Sequence, residues 1–200
     1  MKTKAVRLYG ANDIRLEEFE LPEIAPDSIA VIPNGRNLSV GKEETVLELY
    51  REAIRRGLEQ GKTVYLLHHA TSDAKICTKL KASFSAEDRV VLLEREFSCL
   101  EFNELVKRFS YLVASRFHSI VHAFKNGIPC IALGWAKKYD DLLAQFGQEG
   151  YLFDVRKDPD AREIAKAMDL LNSRRETESA MILSCLAEVQ QENVFDILTL

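Results

Sequence analysis

Apolar residues are distributed along this chain in two alternating patterns. Five short runs are almost uninterrupted in apolar residues: Ser28 to Pro33, Thr63 to His68, Arg89 to Leu93, Tyr111 to Ser115 and Pro129 to Leu133. Runs of that length and continuity predict strands buried on both faces. Between them the period changes to that of a helix, with Val46, Tyr50, Ala53, Ile54 and Leu58 on one stripe and Tyr139, Leu142, Leu143 and Phe146 on another. Strand alternating with helix predicts an α/β fold with a doubly wound parallel sheet, Rossmann-like, with helices on both faces.

Turn residues sharpen the boundaries. Gly127 follows the stripe of Phe117, Ile120, Val121 and Phe124, and Pro129 comes two residues later, a helix stop feeding a strand. Gly147 ends the next helix in the same manner. Asp158-Pro159 supplies a cap and first helical position for the run with Ile164, Ala167, Met168 and Leu171. A further helical segment runs from Arg174 to the end. The first two dozen residues differ in kind, with charges of both signs and no continuation of the sheet pattern. They resemble the start of medium-chain zinc-dependent polyol dehydrogenases, but no zinc-ligand pattern or Gly-rich dinucleotide fingerprint follows. Residues 1–27 are therefore expected to be an extension, an edge strand or linker, and 28–200 the folded domain.

Composition narrows the function classes. With 200 residues, 46% hydrophobic and 29% charged, the chain can bury one substantial core. A net charge of −4 argues against general nucleic-acid or membrane-surface binding, so any anion site must be local. Cys77, Cys99, Cys130 and Cys185 are widely spaced, which predicts reduced thiols and a cytoplasmic protein rather than a zinc site or disulfide framework. No apolar run approaches the ~20 residues of a membrane helix.

The chemistry should sit where the strands exit. In a doubly wound sheet, ligands bind outside the carboxyl ends of the strands. Ser115, Arg116 and His118 fall there, beside a helix whose N-terminus favours an anion. Arg116 carries a planar fork suited to phosphate or carboxylate, so its replacement is expected to abolish anion binding with little effect on stability. His118 can move a proton, and the stripe leaves His118 and Ser119 to face the cleft or solvent. On the residues alone, Arg116 could equally form a structural salt bridge and His118 be a surface residue. His122, one turn on, invites a two-histidine metal reading, but a third ligand is missing and no metal is expected.

The segment from Ser115 to Val155 resembles the carboxyl-terminal signature of the polysaccharide pyruvyltransferase family: Ser115, Arg116, His118 and Ser119 at a strand end, then Gly127 and Pro129, then Gly134, Trp135, Lys138 and Tyr139. The resemblance implies the carboxyl-terminal half of a B-type glycosyltransferase fold and transfer of a pyruvyl group from phosphoenolpyruvate to a saccharide in cell-surface or exopolysaccharide synthesis. It implies His118 as the catalytic residue, acting as acid/base or as a second phosphate contact, with Ser115, Arg116, Ser119, Asn34, Arg36, His69, Trp135 and Lys138 binding substrate and no cofactor. Asp73 falls at the same edge, where a helix cap is the simpler role. An amino-terminal partner domain, or a homo-oligomer, is expected to complete the cleft. Two other readings remain open: a nucleotide-sugar glycosyltransferase or epimerase-like domain, and a non-catalytic remnant that binds an anion or a partner.

Overall fold

The computed structural model describes residues 2–191, the side chains of residues 2, 3, 5, 7 and 8 excepted. The chain begins with a hairpin of β1 (Lys2–Gly10) and β2 (Asp13–Glu20), antiparallel with Val6 opposite Leu16 and Lys4 opposite Glu18. It forms its own two-stranded sheet rather than an edge strand or plain linker. The reason is local: Gly10 and Asn12, the latter at φ 68°, supply the tight turn that folds the two segments on each other.

The main sheet follows, with β3 (Ser28–Ile32), β4 (Val64–Leu67), β5 (Val90–Leu93), β6 (Phe109–Ala114), β7 (Cys130–Gly134) and β8 (Leu152–Asp154). Its order is β5-β4-β3-β6-β7-β8, every neighbouring pair parallel. All five predicted strands are present, within two residues of the expected limits. β8 was not anticipated, because three residues are too few to show a period.

The helices are α1 (Gly35–Val40), α2 (Glu43–Glu59), α3 (Ala74–Ser83), α4 (Cys99–Val106), α5 (Phe117–Lys125), α6 (Lys137–Gln145) and α7 (Ala161–Gln191). Because side chains alternate along a strand, Ile29 and Val31 of β3 face one core while Ala30 and Ile32 face the other. The first core is closed by α2 and α3, the second by α4, α5 and α6. The two helical runs read at the carboxyl end are one 31-residue helix, α7; the last nine residues lie outside the described residues. Ile164, Met168 and Leu171 of α7 enter the first core and Ile182 the second, so this helix contributes to both. Among the described residues no helix is long and apolar enough to cross a membrane.

Gly127 and Gly147 end α5 and α6 as expected, at φ 67° and 65°. Both also meet α7: a Cβ on Gly127 would stand 2.8 Å from Leu183, and one on Gly147 2.7 Å from the Met181 sulfur. Gly127→Ala combines left-handed strain with that clash and is expected to lose about 1–3 kcal/mol, read as a lower urea midpoint at unchanged m-value.

Candidate active site at the carboxyl edge of the sheet

β3 and β6 are neighbours, yet the chain leaves β3 toward β4 and β5 and leaves β6 toward β7 and β8. The strand order therefore reverses between them, and the crevice outside their carboxyl ends is where such a sheet takes its ligand. Asn34, Gly35 and Arg36 leave β3 into α1, and Ser115 and Arg116 leave β6 into α5. A cavity of about 430 Å³ lined by Phe109, Ser110, Gly127 and Arg175 lies at the opposite end of β6. Topology and side-chain chemistry both favour the carboxyl edge over it.

The floor of this edge is a buried polar knot. Tyr50 of α2 is fully buried, and its phenolic oxygen accepts from the Asn34 N–H and from Asn37 Nδ2, each at 3.3 Å. With its lone pairs engaged, the Tyr50 hydroxyl donates to Ser115 Oγ, 2.6 Å away. The Ser115 carbonyl accepts from Tyr139 Oη at 2.9 Å and from Asn34 Nδ2 at 3.2 Å, and Asn37 Nδ2 also reaches the Leu133 carbonyl at 3.0 Å. Burial raises the Tyr139 hydroxyl to about 12 and the Tyr50 hydroxyl further, so both remain protonated donors. Asn34 also caps α1, accepting from the Arg36 N–H at 2.9 Å. The knot joins the exits of β3, β6 and β7 to α1, α2 and α6. Asn34 and Ser115 are thus 2% and 0% exposed and hold the edge together from beneath. Asn37 and Tyr50, members of the same knot, looked in the sequence like ordinary helix residues.

Arg116 does not present a free fork. Its Nε and Nη2 lie 2.6 and 2.8 Å from the two oxygens of Asp73, and Nη2 also reaches Ser72 Oγ at 3.2 Å. Asp73 is completely buried and accepts in addition from the Gly35 N–H at 2.9 Å. It thus serves the first residue of α1 rather than capping α3, at whose own start it stands without a side-chain cap bond. The bond to Asp73 raises the Arg116 guanidinium above its ordinary value. Arg116 therefore pins α5 and the loop after β4 to α1, the structural alternative that the residues alone left open.

What faces outward is a ring of other groups. His118 in the first turn of α5 is exposed, as are Arg36 and Lys138. The Phe117 ring meets the His118 ring edge-on at 5.9 Å between centroids and the Tyr139 ring at 5.7 Å, while Lys138 Nζ sits 4.7 Å above Phe117. His118 and Lys138 thus flank one aromatic ring at the head of α5, where the first amides have no intrahelical acceptor. Trp135 is half-buried, packed on both cores and 5.5 Å from the Tyr139 ring. Ser119 corrects the expectation that it faces the cleft: it is fully buried, because α5 turns it under the edge, and its hydroxyl meets His69 Nδ1 at 3.1 Å. His69 is half-buried against Phe102.

Two outcomes follow for Arg116 and His69. Arg116→Ala strands a buried carboxylate, which overturns the expectation of unchanged stability; a loss of at least about 2 kcal/mol is expected in chemical denaturation, with Asp73→Asn in the same chain recovering part of it. Burial, reinforced by His122, His118 and Arg116, lowers His69 to about 4. The unfolded chain takes up a proton near pH 6.5 that folded His69 refuses, so this contribution is complete above about 6.5 and is lost as pH falls toward 4. His69→Gln is expected to flatten the fall in urea midpoint over that window; an identical slope in parent and variant refutes the assignment.

In overall fold the chain is similar to several solved structures. These include a UDP-GlcNAc 2-epimerase of Methanocaldococcus jannaschii solved with UDP-GlcNAc and UDP, at TM-score 0.58 and 13% identity over 82% of this chain and 46% of that one. The S. aureus MnaA–UDP co-structure gives TM-score 0.58 at 12% identity, covering 78% of this chain and 39% of that one. A UDP-forming α,α-trehalose-phosphate synthase of Burkholderia vietnamiensis gives 0.50 at 10% identity, covering 82% and 42%. At such identities the likeness is one of fold, that of B-type glycosyltransferases, and the chain spans less than half the length of each of these structures. Among curated proteins none is similar enough in sequence to count as a match. The sequence model of polysaccharide pyruvyl transferases matches residues 17–137, from within β2 to the start of α6, one residue short of Lys138. That match takes in both strand exits at the point of reversal and more than half of the chain, which belongs to the polysaccharide pyruvyl transferase family.

Proposed function

We propose that the carboxyl edge binds phosphoenolpyruvate and takes part in pyruvyl transfer to a saccharide. The observation that carries the reading is the pair His118 and Lys138, both exposed and both against the Phe117 ring at the head of α5. Phosphoenolpyruvate brings a phosphate and a carboxylate, and the head of a helix with a lysine beside it favours such charge. Ketal formation needs a proton on the methylene carbon, so that C2 becomes electrophilic. One sugar hydroxyl adds to C2, the C2–O bond to phosphate breaks, and the second hydroxyl forms the second C–O bond. Of the two hydroxyl protons, one restores the proton given to the methylene carbon and the other leaves with phosphate. His118 is placed to deliver that proton, and Lys138 and Arg36 to meet the anionic groups. Arg116 acts through position, holding α5 against Asp73. Trp135 offers a partly open ring for the sugar. A second domain or a second copy facing this edge would supply acceptor contacts. Within the chain, residues 28–200 form the transferase unit and 1–27 an appendage to it, in a cytoplasmic protein of exopolysaccharide synthesis.

Phosphoenolpyruvate is expected to raise the Tm of the chain, since it binds the folded state alone, and Lys138→Ala to reduce the shift. His118→Ala is expected to keep that shift while losing ~10²–10⁴-fold in transfer to a galactose- or mannose-type acceptor, followed by the ketal methyl resonance. Protection by UDP with none by phosphoenolpyruvate would replace this reading with a nucleotide-sugar one.

A further inference from the structure

One turn beyond His118, α4 and α5 bring together a thiol, an imidazole and a carboxamide. Cys99 is exposed at the first position of α4, directly after Ser98. Its Sγ lies 3.5 Å from His122 Nε2, and His122 Nδ1 lies 3.2 Å from Asn103 Oδ1. The direction of every bond in this chain is set by one backbone carbonyl. The His122 C=O can only accept, so the Asn126 side-chain atom 2.8 Å from it is the NH₂. That NH₂ also donates to Asn103 Oδ1 at 3.0 Å, which fixes this atom as the amide oxygen. An amide oxygen opposite Nδ1 requires the proton on Nδ1. Nε2 is then the bare nitrogen, and it faces the Cys99 thiol.

Nucleophile, base and orienting amide in that sequence are the parts of an activated thiol. We propose that Cys99 is a nucleophilic thiol, with His122 as its base and Asn103 and Asn126 as positioning residues, and that it is a site of covalent modification by small hydroperoxides. The class of electrophile follows from exposure: Ser98, Cys99 and Leu100 are all exposed and offer no walls to hold a larger group. In the reaction the thiol proton passes to His122 Nε2 as sulfur attacks the distal peroxide oxygen. The S–O bond forms, the O–O bond breaks, and the imidazolium returns the proton to the leaving oxygen as water or alcohol. Sulfur is oxidised by two electrons to a sulfenic acid and the peroxide is reduced. The capping box of Ser98 and Glu101 holds the first turn of α4 in place, its Ser98 N–H donating to Glu101 Oε2 at 2.9 Å. The positive end of α4 favours the charge that sulfur carries during attack.

His122 is faced by Cys99 and Phe102 from α4, by His69 from the loop after β4, and by His118 and Lys125 on its own helix. Burial and the nearby cations lower its pKa, so it is a free base at neutral pH. The inference does not depend on the pyruvyl-transfer reading.

The test treats the purified chain with hydrogen peroxide, and separately with iodoacetamide, and locates the modified cysteine by mass spectrometry after dimedone trapping. Cys185, half-buried, serves as internal reference. At pH 7 Cys99 is expected to react at least about tenfold faster than Cys185, with a rate that holds nearly level between pH 8 and pH 6.5. His122→Gln should slow it about tenfold and restore a rate rising through the ordinary thiol range near 8.5. Asn103→Leu should do the same in part, whereas Asn103→Asp, which keeps an acceptor opposite Nδ1, should retain the level profile. Equal rates at Cys99 and Cys185, or a parent profile that already follows ordinary thiol ionisation and is unmoved by His122→Gln, overturns the proposal.

Discussion

The edge depends on a carboxylate shut off from solvent. Asp73 is completely buried at the mouth of the sheet, and a charge in that position is tolerable only if its oxygens are fully engaged. One amide of α1 and two nitrogens of Arg116 engage them. The consequence is positional: α1 leaves β3, α5 leaves β6, and Asp73 stands after β4, so three strand exits converge on one ion. The Tyr50 knot beneath repeats the device with neutral groups. Two layers of polar contacts fix the head of α5, the pre-organisation that the proposed site for a small dianion requires.

The fold was legible because the main-sheet strands are largely buried and α5 and α6 end in glycines; neither signal needs tertiary information. What escaped was local or short. The hairpin turn of Gly10 to Asn12 and the Ser98 to Glu101 capping box are local sequence signals that lie outside the strand and helix periods, whereas β8 has too few residues to show a period. The site was half legible. That Arg116 and His118 stand at the reversal of strand order follows from counting strands. Which of them faces outward does not, since it depends on Asp73, 43 residues away in the chain. Ser115, Ser119 and Asn34 look like ligand-binding residues in sequence because small polar groups at strand ends serve both purposes. Here they point inward, and Arg36, His118 and Lys138 are left to meet solvent.

The net charge of −4 is compatible with the proposed anion site because of how it is distributed. Acidic groups along α2 are paired with arginines of the same helix, Glu44 and Glu48 with Arg51 among them. Above the knot at the carboxyl edge, the carboxylate Asp73 is buried and paired with Arg116. In the proposed reading, a dianion would meet the exposed cations of that edge at short range, where screening by salt is least effective.

α7 gives the molecule a mechanical property of its own. A helix of about 46 Å that seats Ile164, Met168 and Leu171 in one core and Ile182 in the other works as a tie-beam between the two faces of the sheet. Glu178, buried between those seats, takes hydrogen bonds from Tyr151 and Gln148 and locks the beam midway. Neither face can open while the beam stays in place, so the two cores share one cooperative transition and the carboxyl edge rests on a frame that does not loosen piecemeal.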